Sequence, residues 1–308
     1  MLPLISVVVP VWNRKNLIER CLDSILNQTV KPYELIVVDN GSTDSTYEVV
    51  EEWMNRNSSS EITFKLLRET KRGACAARQK GLENIEGNYV SFFDSDDAML
   101  PDMIKEVSEI LNPYPETDIV CWKCRIHHLD GTKRVLPFIP DNPIEGHLIH
   151  TLLRPQGYIT RREFLINAGG WTKPVEVWND LELGLRLLLQ NPKIIGINKV
   201  LAEIYSQENS ITGIDFTSKQ GKWERTLEEM KRVNEEHKED KKISRILNYR
   251  KIILAAHYYH EGNHKGADNL LVATLNEVNS REKVILNFAY NYTKRGWRGI
   301  WNIVRFMY

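Results

Sequence analysis

The sequence predicts an α/β domain, a mostly parallel sheet flanked by helices, with a helical region appended at its C-terminal end. Strand and helix signals alternate through residues 4–93. The strand signals are short, continuous β-branched runs, the pattern of strands buried on both faces. Past Ser218 the strand signals stop and helical spacing takes over. The α/β domain is accordingly drawn at residues 1–217 and the helical region at 218–308.

Each element follows from its local pattern. Leu4 to Val9 reads as a buried strand, and Asn16 to Leu26 as a helix with Leu17, Ile18, Cys21, Leu22 and Ile25 on one face. Leu35 to Val38 is a second strand, ending in the turn formers Asp39-Asn40-Gly41-Ser42-Thr43-Asp44. Thr43 or Asp44 is placed to cap the helix that runs on through Trp53. Ile62 to Leu67 is a third strand, Ala74 to Ile85 a helix, and Tyr89 to Phe93 a fourth strand. In the less regular middle, Pro101 to Leu111 and Asn179 to Leu189 read as helices. Ile119 to Ile126 and Ile194 to Tyr205 read as strands, with a hairpin-like turn at Asp130-Gly131. The last region reads as helices at Trp223 to His237, Ile243 to Glu261, Lys265 to Val278 and Glu282 to Tyr292.

Composition narrows the class. Lys plus Arg and Asp plus Glu both number 41, so the net charge is zero, which argues against a general nucleic-acid binder. Four cysteines are too few for a secreted disulfide framework. Cys121 and Cys124 form a C-x-x-C spacing but fall on a strand, and His127 and His128 have the wrong spacing for a zinc finger. Structural thiols in a reducing compartment are expected, and His127, His128 and His147 read as ordinary residues. No apolar run is long enough to span a bilayer. Met1 to Trp12 lacks the basic start and cleavage site of a signal peptide. A cytoplasmic protein is expected.

Chemistry concentrates where the strands end. Phe93 leads straight into Asp94-Ser95-Asp96-Asp97, whose three carboxylates repel unless a cation offsets them. Oxygen-only ligands suit a hard ion such as Mg²⁺ or Mn²⁺, which also binds substrate phosphates; a solvated acidic turn is the competing reading. Asp39-Asn40 stands where a carboxylate or amide can hydrogen-bond a nucleobase or ribose, and Gly41 lets the backbone approach; here the competing reading is a tight turn with a helix cap.

Taken in order, these runs resemble the family 2 glycosyltransferases. The resemblance starts at Ser6-Val7-Val8-Val9-Pro10-Val11-Trp12-Asn13 and continues through Cys21 to Thr29 and Glu34 to Thr46. It passes Gly73, Ala77-Arg78 and Gly81-Leu82, and reaches Gly87-Asn88-Tyr89-Val90 and the Asp94–Asp97 cluster. A weaker stretch follows at Gly169-Gly170-Trp171 and Asn179 to Arg186. The resemblance implies a Rossmann-like GT-A fold, a nucleotide-diphospho-sugar donor and an inverting transfer. Pro10, Val11 and Asn13 would lie against the nucleoside, and Asp39 and Asn40 at the base. Arg78 would lie near the base or diphosphate, with Asp94 at the ribose and Ser95 beside it. Asp96 would hold Mn²⁺ or Mg²⁺, and Asp180 would be the general base, with Glu176 or Glu182 next in line. The acceptor implied is a saccharide or lipid-linked molecule in cell-surface polysaccharide or glycan biosynthesis.

Departures from the family pattern matter. Many relatives carry two acids where this chain has Asp39-Asn40, so uracil-, thymine- and guanine-linked sugars all stay open. Asn179 stands where an acid often precedes the base, and Gln79 replaces a common Asn. The Gln-x-x-Arg-Trp run of processive synthases is absent, which favours single sugar transfer. A nucleotidyltransferase is the other enzyme class, but the loop after the first strand has no Gly. A degenerate sugar-binding or scaffold protein would have lost Asp94, Asp96 or Asp180, and all three are present.

The neutral total conceals a division. Residues 1–220 carry 24 basic and 30 acidic side chains, and residues 221–308 carry 17 and 11. In the tail, Lys294, Arg295, Arg298 and Arg305 interleave with Trp297, Ile300, Trp301, Ile303, Val304 and Phe306. This reads either as a helix packed on the body through Trp297, Ile300, Trp301 and Val304, or as a peripheral contact with the anionic inner face of the cell membrane.

Overall fold

The computed structural model describes residues 3–136, 141–171, 175–207, 215–297 and 299–307. The chain forms two compact units, Met1–Asn209 and Ser210–Tyr308. Arg298 of the basic tail lies outside the described residues.

The first unit opens with β1 (Ile5–Val11), α1 (Ile18–Leu26), β2 (Glu34–Asp39), α2 (Thr46–Arg56), β3 (Thr63–Arg68), α3 (Ala74–Leu82) and β4 (Tyr89–Phe92). A two-residue strand β5 (Ala98–Met99) precedes α4 (Met103–Leu111), followed by β6 (Ile119–His127) and β7 (Lys133–Val135). Then come α5 (Pro143–His150), β8 (Tyr158–Arg161), α6 (Arg162–Asn167), α7 (Asn179–Leu189) and β9 (Ile194–Tyr205). The strands form one sheet in the order β3-β2-β1-β4-β8-β6-β9-β5, with β7 paired to β6 as the expected hairpin. Pairing is parallel from β3 through β4 and between β6 and β9, and antiparallel at both edges of β8.

The two-faced burial of the strands is visible residue by residue. Val7, Val9, Val11, Leu35 and Val37 enter one core with Ile18, Leu22, Trp53 and Met103. Val8, Ile36, Val38 and Phe92 enter the other with Ala77, Leu82, Leu183 and Leu187. Successive side chains point to opposite faces, so a continuous apolar run supplies both layers. Each such side chain contributes roughly 1.5–3 kcal/mol relative to exposure. The approach of α3 to the sheet needs Gly81, where a Cβ would lie 2.2 Å from Val8 Cγ1.

Several local expectations shift. The cap of α2 is Ser45 at φ +63°, while the Asp44 carboxylate accepts the Thr46 N–H at 3.2 Å. The helix expected from Pro101 starts at Met103. β5, β8, α5 and α6 are additions to the pattern legible in the sequence.

The second unit is helical: α8 (Lys222–Glu236), α9 (Lys241–His260), α10 (His264–Asn276), α11 (Ser280–Lys294) and the short α12 (Trp301–Val304). Asp240, Asn263 and Asn279 cap α9, α10 and α11 through side-chain acceptors. Gly262 turns the chain between α9 and α10 at φ +83°. In the tail Ile300, Trp301 and Val304 are buried, with Trp301 against Tyr249 at 4.9 Å between ring centroids. Trp297 is half exposed, so the packed-helix reading holds for three of its four positions.

Candidate active site

The order β3-β2-β1-β4 sends the chain back across β1, so β1 and β4 flank a topological switch point. Open α/β sheets take ligands beyond the carboxyl ends of such strands. Trp12-Asn13, Asp39-Asn40 and Asp94 to Asp97 emerge at that edge.

The first two loops are laced together. Asn13, at φ +51°, donates its N–H to Ser42 Oγ at 3.0 Å, and its Oδ1 accepts the Thr43 N–H at 2.8 Å. The Asp39 carboxylate accepts the Gly41 and Ser42 N–H groups, both at 3.2 Å. Asn40 donates to the Glu69 and Lys71 carbonyls at 3.1 and 2.8 Å and accepts the Gly73 N–H at 2.7 Å. Its amide therefore anchors the loop into α3, a role not visible in the sequence. Pro10 is half-buried, whereas Val11 turns its side chain into the core and its carbonyl accepts the Asn40 N–H. Strand alternation directs the Val11 side chain inward, so the contact expected of Val11 with a nucleoside would be made by its backbone.

Arg78, carried on α3 by that anchored loop, is the hub. Its Nη2 pairs with Asp94 Oδ1 at 2.7 Å and its Nη1 donates to Asn179 Oδ1 at 3.1 Å. Its guanidinium lies 4.7 Å from the centre of the Trp171 ring. Burial works against its charge, but Asp94, with Cys75 and Asp180, outweighs it and the net shift is upward. Gln156, which the sequence did not single out, donates through Nε2 to Asp94 Oδ2 at 2.6 Å and to Asp97 Oδ2 at 2.5 Å. Asp97 also accepts the Tyr205 N–H at 2.9 Å. Ser95 is buried between them in sequence.

Asp96 differs from its neighbours. Its side chain is 20% exposed, and its nearest cation is Arg14 Nε at 3.6 Å from Oδ2. Arg20 holds its backbone carbonyl rather than its carboxylate. Burial, then the Asp94 charge, pushes the Asp96 carboxyl up. Burial, then Asp94 and Asp96, pushes Asp97 well above the usual carboxylate range. Such crowding is what a cation would relieve. Among the described residues no group of three or more His, Cys, Asp or Glu side chains forms a self-sufficient cage. The donor set fits a hard ion held by one or two carboxylates that completes its shell with water and substrate phosphate oxygens.

Across the site, Trp178 in the left-handed region (φ +48°) starts α7, so Asp180 occupies its first turn rather than the cap. Asp180 is half-buried, and burial pushes its carboxyl up, while Arg78, the Leu181 N–H and Arg154 draw it down. Glu182, the reserve candidate for the base, is buried and held by Arg186 at 2.6 and 2.9 Å, which leaves it structural. Glu176 is exposed at the surface. His147 is fully buried: Nε2 donates to the Leu181 carbonyl at 2.9 Å, and Nδ1 accepts the Leu153 N–H at 3.1 Å. It fixes the first turn of α7 through the residue next to Asp180. Cys121 and Cys124 are free and buried, and burial pushes each thiol up to about 12, against a redox role.

Residues 6–163, just over half the chain, match the sequence profile of glycosyl transferase family 2. The chain belongs to that family. Among relatives of this family 2 protein, glycosyltransferase GlyA of Streptococcus pneumoniae is 40% identical over 112 residues, 36% of this chain and 15% of the relative. The cholesterol galactosyltransferase of Borreliella burgdorferi is 26% identical over 227 residues, 68% of this chain and 62% of the relative. The matches span less than two thirds of these relatives' lengths. The fold is that of Staphylococcus aureus TarS 1–349 in complex with UDP-GlcNAc, with TM-score 0.66 and 18% identity over 95% of this chain and 90% of that one. It also resembles the mannosyltransferase PcManGT of Pyrobaculum calidifontis in complex with GDP-Man and Mn²⁺, with TM-score 0.58 and 19% identity over 100% of this chain and 85% of that one. The family 2 protein thus has the GT-A architecture, a sheet flanked by helices with C-terminal helices following.

Proposed function

We propose that this family 2 protein is an inverting glycosyltransferase. It moves one sugar from a nucleotide diphosphate sugar to a saccharide or lipid-linked acceptor in cell-surface polysaccharide or glycan biosynthesis. The observation that carries the proposal is the bridge through Arg78. It ties Asp94, two residues before the Asp96 carboxylate, to Asn179, which precedes Asp180. One carboxylate group thus serves the leaving diphosphate, and a separate carboxylate stands at the start of another element.

Breaking the sugar–phosphate bond builds negative charge on the diphosphate. Mn²⁺ or Mg²⁺ held by Asp96 would neutralise part of that charge. Pro10 and Asn13 line the nucleoside side, with Asp39 shaping the base pocket through the turn at Gly41 and Ser42. Arg78 keeps Asp94 oriented toward the ribose. Asp180 takes the proton of the incoming hydroxyl. A single base supports direct displacement, which inverts the anomeric carbon. Donor complexes of TarS with UDP-GlcNAc and of PcManGT with GDP-Man and Mn²⁺ support a nucleotide-sugar donor. No helix among the described residues is long and apolar enough to cross a membrane. The proposed place of work is the cytoplasm, at the inner face of the cell membrane where lipid-linked acceptors are met.

A thermal-shift screen of UDP-, GDP- and dTDP-sugars with Mn²⁺ tests the donor assignment, since a bound ligand raises apparent stability by mass action. One nucleotide class should raise Tm only with the metal present. No shift with any donor would sink the reading.

A further inference from the structure

The C-terminal unit leaves apolar side chains uncovered after its core is complete. Ile285, Leu286, Ala289 and Tyr290 of α11 face inward, as do Ile300, Trp301 and Val304 of the tail. Val284 (67% exposed) and Phe288 stand on the outer side of α11, and Trp297, Ile303 and Phe306 (78% exposed) stand out from the tail. The aromatic rings connect. Phe288 lies 6.3 Å from Tyr292, and Tyr292 meets Trp297 edge-on at 4.9 Å. The Arg281 guanidinium donates to the Met307 carbonyl at 2.7 Å, which ties the end of the tail back to the first turn of α11.

Cations accompany these rings. Arg295 lies over Trp297 at 5.7 Å and Arg305 over Phe306 at 4.7 Å. Glu282 is the last acidic residue of the chain and is paired with Arg245 at 3.0 Å. From Lys283 onward the sequence holds five basic residues and no Asp or Glu.

We infer that this aromatic and basic face docks on an anionic phospholipid surface. Aromatic rings and aliphatic tips enter the interfacial region, while Arg side chains reach the headgroup phosphates. The charge decides the partner's sign, because Arg295 and Arg305 stand among the exposed rings in a segment without Asp or Glu and gain electrostatic attraction only from an anionic surface. The inference deepens the membrane-side placement proposed above, but its measurement does not involve sugar transfer.

The test is co-sedimentation of the full chain with vesicles of phosphatidylcholine alone and of phosphatidylcholine mixed with phosphatidylglycerol. Two variants accompany it: Phe288→Ser/Trp297→Ser/Phe306→Ser and Arg295→Gln/Arg305→Gln. All five positions are exposed, and unchanged melting and donor binding will show that both variants fold. The full chain should bind only the anionic vesicles and be released by salt. Each Arg removed should weaken binding about fivefold at low salt, and the aromatic variant should lose at least as much. A full chain left in the supernatant would overturn the inference, as would an aromatic variant that binds like the parent. So would a dimer in size-exclusion chromatography that the aromatic variant converts to monomer, since a second copy would then be the occupant. Failure here with donor binding intact would leave the transferase proposal standing.

Discussion

Arg78 and Asp94 meet in a 2.7 Å ion pair in which the guanidinium is almost wholly buried and the carboxylate about a third exposed. The same guanidinium holds Asn179 at 3.1 Å, so one side chain couples the loop after β4 to the start of α7.

Arg78→Lys should break that coupling while keeping the charge. An ammonium has no planar fork to engage two partners in these directions. Loss of alignment between donor and base should lower kcat/KM about 10²-fold, with a stability loss of about 1–3 kcal/mol in urea titration from the unpaired buried acceptor. Parent-like kinetics would show that the bridge is not required.

As the proposed base, Asp180 should set the acid side of the pH profile. Its carboxyl stands above the ordinary value because burial disfavours the charged form, with Arg78 and the Leu181 N–H only partly opposing. A base acts when ionised, so transfer should be full above the raised pKa and decline as pH falls through it. The acid limb should therefore lie above ~4, the unperturbed Asp value. Arg154→Met removes a cation that favours the ionised form, so the limb should move to higher pH. Asp180→Asn should lower kcat about 10²–10⁴-fold with donor affinity unchanged by calorimetry. A limb that stays in place in both variants would move the base elsewhere.

Asp96→Asn should separate metal from nucleotide. Donor affinity measured with and without Mn²⁺ should differ in the parent and converge in the variant, since Asp96 is the carboxylate of its loop that Gln156 does not hold, with Arg14 Nε standing 3.6 Å from its Oδ2. A metal dependence as large as the parent's would assign the ion to Asp94 or Asp97.

Gly184→Ala probes the support beneath Asp180. A Cβ there would lie 2.2 Å from His147 Nε2, the atom that donates to the Leu181 carbonyl. Displacing His147 should cost about 1–3 kcal/mol as overpacking and lower kcat while leaving donor KM unchanged. Equal melting and kcat would show that the pocket yields without consequence.

The sequence by itself determined the strand ends and what they carry. Ile5 to Val11, Glu34 to Asp39 and Tyr89 to Phe92 are mostly apolar runs buried on both faces, so the larger polar side chains collect where the runs end, and Asn13, Asp39 and Asp94 follow from one-dimensional pattern. The helices of the second unit were legible to within a few residues because their spacing extends over several turns. Only the tertiary structure decided how those groups are used. Gln156 reaches Asp94 across 62 residues, Arg78 reaches Asn179 across 101, and Asn40 commits its amide to the loop before α3. Glu182, indistinguishable from a base in the sequence, is buried against Arg186. Trp297 and Trp301 share one pattern in the chain, yet one is covered and the other exposed. Local periodicity fixes which face of an element a side chain takes. What meets that face is set by contacts between segments far apart in the chain, and those arise only when the cores close.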